Sequence, residues 1–371
     1  RIRGRVHLEG VNLLVGGRDA LKVLKNAELF VRDCGLWAGG VETGFTVECA
    51  RLELENCKIH DCREGISLLQ GSKALISNTE LWACSEAAIS VQESSEATID
   101  RCNIHDSISN GISVGEGSVA DVRNTDLWGC GKSPEGLSLI YVGSGSRAWI
   151  EHCRMHDGFT GIRVRKGSLA DVRNTDLSVF EKPAIYVEDA GSVATIVECV
   201  IHDNPSNAIR ILNEGKATIQ RSDIHNALDG YPLIHVSTGA HAMIDRCKIH
   251  DTGPSGLHLQ EGGSAEVRDT EFRECREESV FLTGRTTTVH MINCRFGAEI
   301  DISVRLEDEA HAKLEGCKRD GIDDGSQSFL VNTNATLDWV PEECVTEGQQ
   351  DVSVPAANRN YDEFEFRHSL N

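Results

Sequence analysis

The sequence predicts an all-β fold: a right-handed, three-sided parallel β-helix, a solenoid of about 13 coils with an irregular C-terminal cap or tail. Three observations predict it. A row of Cys, Thr or Ser recurs every 22–28 residues, aliphatic residues keep fixed offsets from that row, and turn residues close each repeat. A fixed period of this length marks a repeat architecture, in which each unit buries its apolar face only against its neighbours.

The row comprises Cys34, Cys57, Thr79, Cys102, Thr125, Cys153, Thr175, Cys199, Ser222, Cys247, Thr270, Cys294 and Cys317. Five residues before it lies a small or aliphatic residue and three before it an aliphatic one, as in Ala97 and Ile99 ahead of Cys102. Two residues after it lies an aliphatic residue or Phe in all but the last coil, as in Ile104. Each pair keeps the period of two that a strand with one buried face requires, and the odd step across the row demands a bend. Asn56, Asn78, Asn124, Asn174 and Asn293 occupy that bend, as residues tolerant of left-handed geometry should.

About ten residues beyond the row a third short strand is predicted, led by Gly or Ala, as in Gly65-Ile66-Ser67-Leu68, Gly161-Ile162-Arg163-Val164 and Ala184-Ile185-Tyr186-Val187. Turns such as Gly71-Ser72 and Gly117-Ser118 close the coils. Right-handedness follows from the general preference of parallel crossovers. The competing leucine-rich repeat needs a helical return segment, and the return stretch from His105 to Gly115 has no 3.6-residue period.

Two steps are long, and their extra residues fall at Gly131-Lys132-Ser133-Pro134-Glu135 and Asp229-Gly230-Tyr231-Pro232; in a solenoid such insertions go into loops on one face. After Cys317 the pattern decays through Asp320-Gly321-Ile322-Asp323-Asp324-Gly325. The division is therefore a β-helix over residues 1–325 and a C-terminal region over 326–371, either a cap on the last coil or a partly ordered tail.

The 371 residues form one long domain, because a solenoid grows along an axis. A net charge of −21 argues against a nucleic-acid partner. No run of eighteen apolar residues predicts a membrane span. The chain opens Arg1-Ile2-Arg3-Gly4-Arg5 without Met or an apolar leader, as a processed or excised piece would. Eight of the fourteen cysteines sit in the row. Row positions two coils apart are roughly 9.6 Å apart, beyond disulfide reach, so buried reduced thiols and a reducing, cytoplasmic location are expected.

Three residues past the row an outward position reads Trp37, His60, Trp82, His105, Trp128, His156, then Ser178, His202, His225 and His250. The candidate binding stripe is Trp37, His60, Trp82, His105, Trp128, His156, His202 and His250, as a stacking platform for sugar rings or a peptide. The plainer reading is that His and Trp shield the sheet while the Asp that follows most of these His bonds the next turn. As outward positions they are expected to tolerate substitution. No metal and no cofactor is expected: like His residues are roughly 9.6 Å apart with Trp between them, and His60, Cys62 and Cys84 lack a fourth ligand.

The repeat resembles the right-handed parallel β-helix superfamily of pectate lyases, with its carbohydrate-binding and sugar-hydrolase repeats. The I-H-D coils alternating with G-[IL]-x-[VL] strands look most like the β-helical substrate-recognition region of F-box proteins. Polygalacturonase-like catalysis would require four motifs. Only the first is matched, by Asn124-Thr125-Asp126 and Asn174-Thr175-Asp176, and both recur where the bend and row already explain them. Asp323-Asp324 falls in the decaying coil, and no local set of carboxylates beside an Arg or Lys base stands out. No catalytic residue is assigned. The expectation is a non-catalytic scaffold presenting an acidic surface to a protein partner. Its alternative is a polysaccharide-binding or polysaccharide-degrading β-helix, with carbohydrate as partner.

Overall fold

The computed structural model describes residues 1–14, 19–39, 42–131, 137–227, 230–299, 302–321, 329–332 and 334–340. Residues 132–136, Asp229, Asp323-Asp324 and the region from 341 to Asn371, on which sequence expectations were placed, lie outside them.

Each coil is three strands, for example Glu96–Asp100, Asn103–His105 and Ile112–Val114. Like strands pair in parallel along the axis into three sheets of 15, 14 and 14 strands. The first sheet holds the five-residue strands, the second the strands after the bend and the third the strands that lead into the closing turns. Among the described residues there is no helix, which excludes the leucine-rich alternative.

Register repeats like over like: Ala74, Ala97 and Ala120 face one another in sequence, as do Ile76, Ile99 and Val122. Both columns are buried with Ile104 and Ile112 around one continuous core. The solenoid starts one coil earlier than the row suggests, with Arg5–Glu9 and Asn12–Leu14. Val11 takes the row position there, and its amide points at the Cys34 sulfur, 3.4 Å away. At the other end Phe329–Val331 and Thr336–Val340 extend the third and first sheets.

The bend holds the residue before the row in left-handed conformation at φ 47–54° for the five predicted Asn. Asp33 and Arg101 take the same geometry elsewhere, so the bend is imposed by the coil and favoured, not dictated, by Asn. The alternation of Cys with Thr or Ser has a hydrogen-bond cause. The amides of Cys57, Cys102, Cys153, Cys199 and Cys247 donate to the hydroxyls of Thr79, Thr125, Thr175, Ser222 and Thr270 in the next coil, at 3.2–3.4 Å. Serines do the same at the closing turns, where Ser72, Ser95, Ser118 and Ser146 pass amide to hydroxyl up the axis at 3.1–3.2 Å. Buried amides at turns are thus satisfied across coils. The thirteen described cysteines are free thiols, and all but the half-buried Cys49 are buried.

Candidate functional site

The second sheet carries the stripe on its outer face, and the strand pairing stacks it. Trp37, His60, Trp82, His105, Trp128 and His156 lie ring over ring with centroids 4.2–6.3 Å apart and planes within 21°. Ser178 breaks the pile, and His202, His225 and His250 resume it at 5.3 and 4.8 Å. The broad ring faces are turned toward neighbouring coils, so solvent meets mainly edges. His105, between Trp82 and Trp128, is only 9% exposed: it lies on the outer face but is covered by its stacked neighbours.

The Asp after each stripe His bonds the imidazole, not the next turn. Asp61, Asp106, Asp157, Asp203 and Asp251 take left-handed φ of 50–54°. That geometry returns the carboxylate to Nδ1 of His60, His105, His156, His202 and His250 at 2.6–2.9 Å. The bond to His202 holds the Asp203 carboxyl below its usual range. On the other ring edge, Nε2 of His105, His156, His202 and His250 lies 2.8–3.5 Å from Glu80, Asp126, Asp176 and Asp223 of the preceding coil. These contacts fix the rings.

The third sheet carries a different ladder. Between the two buried aliphatics of each strand one side chain points outward, and pairing stacks Ser67, Ser90 and Ser113 and then Tyr141, Arg163, Tyr186, Arg210, His235, His258, Phe281 and Arg305. The guanidiniums of Arg163 and Arg210 lie 5.3 and 5.9 Å from the Tyr186 ring centroid, on either side along the axis. His258 stacks on Phe281 at 4.7 Å, and Arg305 closes over that ring at 5.0 Å. Three guanidiniums thus line one face of a chain with net charge −21.

Carboxylates flank the ladder. Glu188, nearly buried, accepts from Arg163 Nε at 2.8 Å and lies 3.3 Å from Arg165. Burial, and then Glu188, pushes the Tyr186 hydroxyl up. Glu278 is buried 3.9 Å from Arg305, and desolvation pushes its carboxyl up to about 7. Burial pushes both His235 and His258 down to about 4, so they are neutral at pH 7. Arg210 Nε, His258 Nε2 and Glu278 Oε2 are buried without a hydrogen-bond partner among the described residues. Buried polar atoms left unpaired cost free energy unless water or a ligand meets them.

The family model described as "Right handed beta helix region" matches residues 17–137, 43–179, 87–227 and 183–337. The chain belongs to the right-handed β-helix family. A comparison with curated proteins gives no match. Solved structures similar to this β-helix include the periplasmic alginate epimerase AlgG, at 10% identity over 85% of this chain and 78% of that one, with a TM-score of 0.51. The N-terminal fragment of bacteriophage Phi29 gene product 12 has 11% identity over 88% and 66%, with a TM-score of 0.55. The A-module of Azotobacter vinelandii mannuronan C-5 epimerase AlgE4 has 13% identity over 91% of each chain, with a TM-score of 0.46.

The expected protein scaffold with an acidic face is corrected at this point. AlgG, which shares the fold, is by name an enzyme of a polysaccharide. The outer face of the third sheet is mixed in charge and not simply acidic: Arg163 and Arg165 pair with Glu188, Arg305 pairs with Glu307, and Arg210 Nε has no hydrogen-bond partner among the described residues. The residues missed by sequence reasoning are Arg163, Tyr186, Arg210, His235, His258, Glu278, Phe281 and Arg305. All but Glu278 occupy the position between the two aliphatics of the third strand, which is Ser in three successive coils and an Arg or an aromatic or imidazole ring in the next eight, with no single residue type common to them all.

Proposed function

We propose that this β-helix binds an acidic polysaccharide along the outer face of its third sheet. The observation that carries the reading is Arg210: a guanidinium held between Tyr186 and His235 in the ladder, with a buried Nε that meets no acceptor among the described residues. A guanidinium matches a carboxylate in charge and in its fork of donors, so a uronate carboxylate bonds it more strongly than the hydroxyl acceptors of a neutral hexose. Arg163 and Arg305 place further guanidinium donors along the axis, each also paired with a carboxylate, Glu188 and Glu307, and Tyr186 and Phe281 supply the apolar surface that sugar rings favour. A linear polymer laid along the axis meets these groups in turn. The fold shared with an enzyme named for alginate supports the same reading.

Affinity electrophoresis or calorimetry with alginate and polygalacturonate, against dextran as a neutral polymer, tests it. The acidic polymers bind and dextran does not, and Arg210→Gln weakens binding about tenfold or more, the equivalent of one charge-assisted hydrogen bond. Equal binding of dextran, or full affinity in Arg210→Gln, overturns the proposal.

A further inference from the structure

The second sheet departs from its own rule at one place. Through the N-terminal half, Trp alternates with His, so no two imidazoles are neighbours. At His202, His225 and His250 three imidazoles occupy successive coils, which the expectation of roughly 9.6 Å between His residues did not allow for.

The middle residue is also chemically distinct. His202 and His250 are each followed by the Asp that holds Nδ1, whereas His225 is followed by Asn226, whose side-chain amide donates to Asp203. No hydrogen bond to the His225 ring is found among the described residues. The ring is fixed only by its stacking, 5.3 Å from His202 and 4.8 Å from His250. Asp223, two residues before it on the same face, lies 2.8 Å from His250 Nε2. One ligand atom from each of Asp223, His225 and His250 lies within 4.8 Å of the other two. His250 is oriented by Asp251 at 2.7 Å, the carboxylate-to-imidazole arrangement that commonly aims the other nitrogen at a metal.

We propose that Asp223, His225 and His250 bind one divalent transition-metal ion, with solvent completing its shell. Two imidazoles and a carboxylate suit zinc and its neighbours, whereas calcium and magnesium prefer all-oxygen sets. Metal–nitrogen bonds of about 2.0–2.1 Å require the three groups to close by about 1 Å, within reach of side-chain rotation at a half-buried surface. The site is on a different sheet from the polysaccharide ladder and stands or falls separately from it.

The test is calorimetric titration of the EDTA-treated, desalted protein with ZnCl₂ and with MgCl₂, together with the visible spectrum of the Co²⁺-loaded protein. One Zn²⁺ binds per chain with micromolar affinity, Mg²⁺ does not compete, and Co²⁺ gives ligand-field bands. His225→Trp, which restores the ring pattern of Trp82 and Trp128, and Asp223→Asn each weaken Zn²⁺ at least tenfold, while the exposed control His152→Gln leaves it unchanged. If His225→Trp misfolds, Asp223→Asn decides alone. Absence of saturable zinc binding, or binding of undiminished affinity in a folded variant of either ligand, overturns the proposal.

Discussion

The amide of Cys102 donates to the hydroxyl of Thr125 one coil further along at 3.3 Å, and that hydroxyl in turn donates to the carbonyl of Arg123 at 2.7 Å. The two-coil repeat of the sequence is this hydrogen-bond relay. A Cys coil presents a buried amide, and a Thr coil supplies the group that accepts from it.

Thr125→Val keeps the shape and removes the acceptor, leaving the Cys102 amide buried and unpaired. The loss is about 1–3 kcal/mol. Thr125→Ser retains most of the stability, because Ser222 performs the same task for Cys199 at 3.2 Å. Urea unfolding midpoints measure both, and a Val variant as stable as the parent would show that the relay contributes nothing.

The ladder on the third sheet makes stability depend on pH from both sides. His235 and His258 are held at about 4 in the fold, so between pH 6.5 and 4 the unfolded chain takes up protons first and stability falls as pH falls. Glu278, raised to about 7, works the other way. Between pH 4.5 and 7 the folded chain holds the extra proton, so stability falls as pH rises, by at most about 3 kcal/mol. Where the windows overlap, two imidazoles outweigh one carboxyl, and the net loss is on the acid side. Melting temperatures from pH 4 to 8.5 should show His258→Phe flattening the acid limb and Glu278→Gln the limb toward neutral pH. Parallel curves for parent and variants would refute the assignment.

His105 separates packing from mere exposure. Ile99→Asp places an unpaired charge in the core and unfolds the neighbouring coils, a loss of about 4 kcal/mol or more. His105→Ala removes a ring stacked 4.2 Å from Trp128 and the contact with Asp106, and costs about 1–2 kcal/mol. An unchanged unfolding midpoint in His105→Ala would mean that the ring pile is ornamental to stability.

The rows that pack were legible in the sequence because packing restricts them to a few residue types. Ala97, Ile99, Cys102 and Ile104 have equivalents in almost every coil, each under the same steric constraint. The first coil was missed because Val11 breaks the Cys/Thr pattern while still filling the space. The third-sheet ladder was missed for the opposite reason: its column faces outward, where the coil accepts Ser113, Arg163 or Phe281 alike, so no periodic signal accumulates. His225 was legible as a member of the stripe beside His250, whereas Asp223 belongs to a column whose residue type varies from coil to coil, and only the strand register sets it beside His250.

The cysteines give the last prediction. Burial pushes the thiols of Cys84, Cys130 and Cys153 up to about 12 and those of Cys62, Cys102, Cys199 and Cys247 up to about 11. Since the thiolate is the reactive form, at pH 8 only about one such thiol in a thousand or fewer is reactive, even before access is considered. Cys49 is half-buried at a strand end, beside Gln70. In a Cys344→Ser background, which removes the one cysteine outside the described residues, iodoacetamide at pH 8 therefore modifies Cys49 at least about a hundredfold faster than Cys102, Cys153, Cys199 or Cys247. Peptide mapping of the time course reads this directly. Labelling of Cys102 or Cys153 at the Cys49 rate in the folded protein would show that the coils open on the timescale of the reaction and that the core is not closed.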